Sequence, residues 1–300
     1  YKGKYTPPNN FKTAPDFAID NGAIYFHTKD LITKVDMLTN KVVWEAEYSS
    51  GMAAQIAPSL FANHVGISLD DRIFIVDKKS GQEYISIEGD DFDQSLSLTD
   101  KYLLYGQFET GRLHVYDVNL KKDLFELTVG DQLGESFVQD GDNLIFPSTN
   151  LKLSCVNGKT GKEVWTWSSS ELKGGCGHGF NDAPALFGDK LYVNQRETGL
   201  YIFDKNNGQF QERISFDEDI CTEWVFFDDK MVIIGTKSLF LFDPASKEIK
   251  TIAEYPEDFE AMPYLNNNGR FIALHNIGSY DRKPIVRLFN LEELINGISR

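Results

Sequence analysis

The chain has 300 residues and a formal net charge of −15, so its surface repels phosphate backbones and nucleic acid is excluded as the expected partner. Hydrophobic residues make up 41% of it, aromatic residues 13%, enough for a large aromatic-rich core that favours strands over helices. No stretch approaches the ~20 consecutive apolar residues that a membrane-crossing helix needs.

In chain order, residues 1–11 contain Pro7-Pro8, which limits any strand ladder there to a few bonds. The first full unit, residues 23–48, reads AIYFHTKDLITKVDMLTNKVVWEAEY. It predicts a strand, a short turn, a second strand ending at Asp36, a polar turn, and a third strand containing Trp44. The same order recurs at 144–167 and 190–216, with shorter copies from Arg72, Arg112 and Leu239. A last copy, IVRLFNLEEL, starts at Ile285. A further strand precedes the units, as at 57–61, 183–187 and 262–265, and would be the innermost; its Pro is tolerable at a strand start.

The Asp or Asn closing each second strand marks the register: Asp36, Asp77, Asp117, Asn157, Asp204, Asp243 and Asn290. Successive marks stand 41, 40, 40, 47, 39 and 47 residues apart. A period near 40 with several strands per unit is the signature of propeller blades. Seven marks predict one domain over residues 1–300, an all-β, seven-bladed β-propeller of four-stranded antiparallel blades. The mark itself is turn chemistry: an Asp or Asn side chain accepts backbone N–H bonds two residues on, and a left-handed Gly completes the reversal. Lys78-Lys79-Ser80-Gly81, Gly158-Lys159-Thr160-Gly161 and Lys205-Asn206-Asn207-Gly208 follow that recipe. After Asn290, Leu291-Glu-Glu-Leu-Ile295 has helical spacing, so residues 1–11 are expected to supply the last blade's outer strand. Trp44, Trp165 and Trp167 are read as packing between blades, Cys155 as a small core residue, and His27, His64 and His114 as ordinary strand residues.

The segments 157–165, NGKTGKEVW, and 36–44, DMLTNKVVW, together with Ala183-Pro184-Ala185, resemble the quinoprotein-type (PQQ-like) propeller repeat over about residues 13–290. The resemblance implies the fold. It also implies a choice between cofactor-dependent dehydrogenases and non-enzymatic propellers such as the outer-membrane assembly lipoprotein. The dehydrogenases resemble a longer, eight-bladed wheel, many with adjacent cysteines beside the quinone. Here seven units are present, no two of Cys155, Cys176 and Cys221 are adjacent, and no matching Glu, Asn and Asp ligand set is found. PQQ is therefore not expected, and the reading falls on the non-enzymatic branch.

Asp16, Gln55, Gln94, Glu135, Asp182, Glu223 and Glu260 stand just before the innermost strands, one per blade, and every one is a carboxylate or carboxamide. They predict an acidic, hydrogen-bonding ring at the channel mouth, suited to a Lys or Arg of a partner. The same oxygens would serve a divalent cation such as Ca²⁺, and a water-filled entrance would also be polar. The longer interval after Asn157 holds SSSELKGGCGHGF at 168–180, whose glycines predict a flexible loop with Cys176 and His178 inside. Two ligands are too few for structural zinc, and the spacing fits no nucleophile motif. The other long interval carries Tyr280 and Arg282, residue types enriched at binding hot spots.

These features lead to a soluble, monomeric, non-catalytic scaffold whose acidic, loop-rich face captures or neutralises another protein, a basic one by charge. The competing reading is a metal-assisted hydrolase, lyase or lactonase with its ion at the channel mouth. Three cysteines cannot all pair, which suits a reducing compartment, whereas a start at Tyr1 equally suits removal of a leader. Cytoplasm, periplasm and secretion all stay open.

Overall fold

The computed structural model describes residues 17–20, 22–27, 30–48, 58–69, 71–90, 92–107, 112–128, 137–148, 152–169, 180, 184–195, 199–255, 264–267, 271–275 and 286–297. Six of the register marks end a strand and the seventh, Asp243, follows one directly; each strand joins a meander in which sequence neighbours pair antiparallel. Six sheets have four strands. They are β1–β4 (Phe17–Asp20, Ala23–His27, Leu31–Asp36, Lys41–Glu47) and β5–β8 (Ser59–Leu60, His64–Leu69, Arg72–Asp77, Glu83–Glu88). Next come β9–β12 (Phe92–Leu98, Tyr102–Gln107, Arg112–Asp117, Lys122–Thr128) and β13–β16 (Val138–Asp140, Asn143–Ser148, Lys152–Asn157, Glu163–Ser168). Then follow β17–β20 (Ala185–Phe187, Lys190–Gln195, Gly199–Asp204, Phe210–Ile214) and β21–β24 (Ile220–Phe227, Lys230–Gly235, Ser238–Phe242, Ile249–Glu254). The last sheet has three strands among the described residues, β25–β27 (Tyr264–Asn267, Phe271–His275, Val286–Asn290), where the repeat predicts four. Residues 1–11, expected to complete it, lie outside the described residues.

The chain groups into two compact units, residues 1–135 with 158–161, and residues 136–157 with 162–300. Within each, the core lies between consecutive sheets, and strand alternation explains how one strand feeds two cores. In β7, Phe74 and Val76 face the first sheet, whereas Ile73 and Ile75 face the third. In β19, Tyr201 and Phe203 join the core with the fourth sheet, and Leu200 and Ile202 the core with the sixth. Buried on both faces, these strands read as the near-continuous apolar runs that the sequence shows. Cys155 is fully buried in one such core, and burial, with Asp140 adding to it, pushes its thiol up to about 12.

The helical spacing after Asn290 folds as α1 (Leu291–Ile295), with the Asn290 side chain accepting from Glu293 N. Leu291, Leu294 and Ile295 pack with Val232, Ile234, Leu239 and Leu241 of the sixth sheet.

Candidate functional site

In a meander of this kind the β1–β2 and β3–β4 reversals of each sheet lie on one edge, here the turn edge. The passages between sheets and the β2–β3 reversals lie on the opposite one, the loop edge. The turn edge is built by the register marks. The Asp36 carboxylate accepts from Thr39 N at 2.6 Å and Thr39 Oγ1 at 2.7 Å. Asp77 accepts from Ser80 N and Oγ, both at 2.7 Å, and from Lys79 N at 3.1 Å. Asp117, Asp204 and Asp243 each accept from the backbone N–H two residues on. Bonds to the ionised form favour it. The Thr39 hydroxyl, the Ser80 hydroxyl and the Ser246 backbone N–H accordingly hold Asp36, Asp77 and Asp243 below the usual carboxylate range.

A second device, absent from the sequence reading, ties neighbouring sheets together at these turns. Trp44 Nε1 donates to the carbonyl of Lys78 at 3.1 Å, and Trp165 Nε1 donates to the carbonyl of Lys205 at 3.1 Å. Each lysine then reaches back: Lys78 Nζ is 2.5 Å from Asp20, and Lys205 Nζ is 3.0 Å from Asp140. The indoles lie on the left-handed glycines Gly81 (φ 72°) and Gly208 (φ 69°). A Cβ on Gly81 would sit 2.8 Å from the Trp44 ring, and one on Gly208 would strike Trp165. The expectation that the tryptophans pack between sheets therefore holds, with a hydrogen bond and an ion pair added. The only advance signal was the pairing of Trp eight residues after a mark with Gly four residues after the next.

A cleft of about 510 Å³ opens on the turn edge of the first two sheets, lined by Asp20, Tyr25, Lys34, Asp36, Val43, Asn63, Asp77, Lys78 and Lys79 among others. Lys34 Nζ donates to the Lys78 carbonyl at 2.8 Å and stands 5.5 Å over the Tyr25 ring. Burial, then Asp20 and Asp77, push the Tyr25 phenol up to about 12. His64 stacks on Tyr84 at 3.9 Å, and burial lowers its pKa. His114 stacks on Tyr105 at 4.7 Å, while Tyr105 donates to Asp123 at 2.9 Å. Among the described residues no three His, Cys, Asp or Glu side chains gather as a metal site.

Asp16, Gln55, Glu135, Asp182, Glu260, His178, Tyr280 and Arg282, expected around the channel mouth, lie outside the described residues. Gln94 and Glu223 fall inside the first strands β9 and β21 rather than ahead of them. Both sit where the register shifts, between Leu96 and Phe92 opposite Tyr105/Gln107, and between Cys221 and Trp224. A bulge lets pairing continue past a residue that the apolar pattern reads as loop. In the sixth sheet three carboxylates stand ahead of the first strand, and the middle one, Glu218, accepts from Lys237 N at 2.6 Å and Thr236 Oγ1 at 3.2 Å. The acidic run Asp217-Glu218-Asp219 was the signal for it.

Residues 9–219 match a family model described as outer membrane protein assembly factor BamB. No curated protein sequence matches the chain. Among solved structures, it is similar to BamB from Moraxella catarrhalis at 12% identity and a TM-score of 0.61, covering 92% of this chain and 85% of that one. A chain of a mitotic checkpoint complex gives 12% identity and 0.67, over 97% and 96%. The computationally designed Ika8 protein gives 14% and 0.67, over 92% and 83%. At such identities the likeness is one of fold, a propeller-like set of antiparallel sheets.

Proposed function

The chain belongs to the PQQ-like repeat family described as outer membrane protein assembly factor BamB, and on that premise we propose that it is a non-catalytic, protein-binding β-propeller of seven blades forming one domain. Its partner is a basic protein held on the loop edge. What supports this reading is the repeat register of the acidic positions, together with the engagement of the turn-edge carboxylates. On the turn edge the carboxylates are consumed by the fold, each Asp mark closing its own turn. By repeat position Asp16, Gln55, Gln94, Glu135, Asp182, Glu223 and Glu260 fall towards the loop edge, one acceptor side chain per repeat.

A chain of net charge −15 steers cations over long range, which raises association rates and sets orientation. Tyr280, Arg282 and His178, in the two long intervals, supply the contacts beyond charge. The family's description and the checkpoint-complex neighbour both concern proteins named for assemblies, which supports binding as the activity. No cofactor enters this reading.

The test is a triple charge reversal, Asp182→Lys with Glu223→Lys and Glu260→Lys, scored against a panel of purified basic proteins in a surface-binding assay. Binding by the unaltered chain that weakens at least tenfold in the variant is the expected result. Equal binding by both would remove the loop edge from the reading. A stoichiometric divalent ion in native mass spectra, released by EDTA, would replace it with the metal-dependent alternative.

A further inference from the structure

Two joints between sheets in the first unit close by different chemistry. Between the first and second sheets, Trp44 lies on Gly81 and donates to the Lys78 carbonyl. Between the second and third sheets no indole arrives. Ile85 holds the equivalent place after Asp77, and Lys121, at φ 51°, stands where the glycine would be. The aliphatic core of this joint, with Ile73, Ile75, Leu96 and Leu103, is flanked by titratable side chains from both sheets.

His64 faces the joint. It pairs with Asp77 on the side of β7 that carries Ile75, and Gly66, two residues on, would set a Cβ 3.1 Å from Leu96 of the third sheet. Its imidazole stacks on Tyr84 at 3.9 Å and 19°. From the third sheet Tyr116 meets Tyr84, and Tyr105 donates to Asp123. The charged groups acting on His64 are Asp77, Asp100 and Lys78. Asp77 is bonded to Lys79 and Ser80 of its own turn, Asp100 is exposed, and Asp20 holds Lys78 in place. Burial outweighs all three and disfavours the imidazolium. His114 also faces the joint, stacked on Tyr105 at 4.7 Å, but Glu126 stands 3.9 Å from its Nε2 and shares its carboxylate with Arg112. A proton on His114 faces a carboxylate; on His64 it faces burial.

We infer that the joint between the second and third sheets is an acid-responsive element, which loosens as His64 takes up a proton while the tryptophan-clamped joint beside it stays closed. The sign follows from linkage. The folded pKa of His64 lies below its ordinary value of 6.5, so its stabilisation is present above that value and is lost as pH falls through the lowered one. Trp44 carries no proton to gain, and its joint has no such dependence.

The test is hydrogen–deuterium exchange of the full chain at about pH 7.5 and about pH 5.5, spanning the range in which histidine changes charge, with rates corrected for intrinsic exchange. Peptides of the third sheet, β9–β12, should lose at least about tenfold protection at the lower pH, and those of the first sheet, β1–β4, less than about twofold. His64→Phe, which keeps a ring on Tyr84 without a titrating group, should abolish the loss, and His114→Phe should leave it in place. Equal loss in the two sheets, no loss in the third, or a loss that survives His64→Phe would overturn the inference. Should His64→Phe fail to fold, the comparison of the two sheets in the unaltered chain decides.

Discussion

Trp165 and Glu212 occupy the same place in consecutive sheets, eight residues after the marks Asn157 and Asp204, and meet the following turn by opposite means. Trp165, nearly buried, lies on Gly208 and donates to Lys205, which in turn pairs with Asp140. Glu212 forms an ion pair at 2.6 Å with Lys247, which stands where the glycine would be, at φ 62°. The first unit repeats the contrast: Trp44 is matched by Gly81 and Phe125 by Gly161, whereas after Ile85 the corresponding residue is Lys121, at φ 51°. Glycine therefore does two jobs at this turn. It adopts the left-handed conformation without a Cβ penalty, and it leaves room for a ring. Where no ring arrives, the second job disappears, and a lysine occupies the position at a conformational cost of roughly 1–2 kcal/mol. The two kinds of junction differ in mechanism, burial against surface charge, and should respond differently to change.

The largest difference should appear on truncating the two equivalent side chains. Trp165→Ala should lower unfolding free energy by about 3–5 kcal/mol in urea titration, the range for a buried aromatic. Glu212→Ala should cost less than about 1 kcal/mol, as exposed ion pairs do. Equal losses would break the distinction. Gly208→Ala comes next, with about 2 kcal/mol or more expected from left-handed strain plus the ring clash; in the Trp165→Ala background the clash is absent and the loss should shrink. The smallest effect concerns acid. The folded pKa of Asp77 lies below its unfolded value, so its stabilisation is present above pH ~4 and is lost as pH falls through the lowered folded value. Asp77→Asn should flatten the fall in Tm between about pH 5 and pH 3; an unchanged slope would mean that the Ser80 bonds contribute nothing.

Local chemistry made most of the fold legible. The Asp-to-backbone bonds of the turns span two or three residues, so a linear reading finds them, and with them the period, the glycines and the strand order. The helix at Leu291–Ile295 was readable from spacing alone. Its docking on the sixth sheet was not, because a short apolar stripe does not say which surface it meets. Likewise the acceptors of Trp44 and Trp165 are 34 and 40 residues away, and an indole names no partner until the neighbouring turn is known. Glu223 was read as loop because a bulge breaks the two-residue alternation that marks a strand. The acidic positions of the loop edge follow from the repeat register, and of these only Gln94 and Glu223 fall within described strands.

The bulges have a consequence for how the protein behaves when concentrated. β4, β8, β12, β16, β20 and β24 are each the last strand of a sheet, and each breaks register with its neighbour, at Val43, Tyr84, Leu124, Val164, Gln211 and Ile252. An unpaired strand edge is a template for another molecule's backbone, the route to aggregation. A kink in every such edge, on a chain that also repels its own copies through like charge, prevents a long straight ladder from forming. The irregularity that turns Val43 into the cleft wall thus also keeps six edges from recruiting one another.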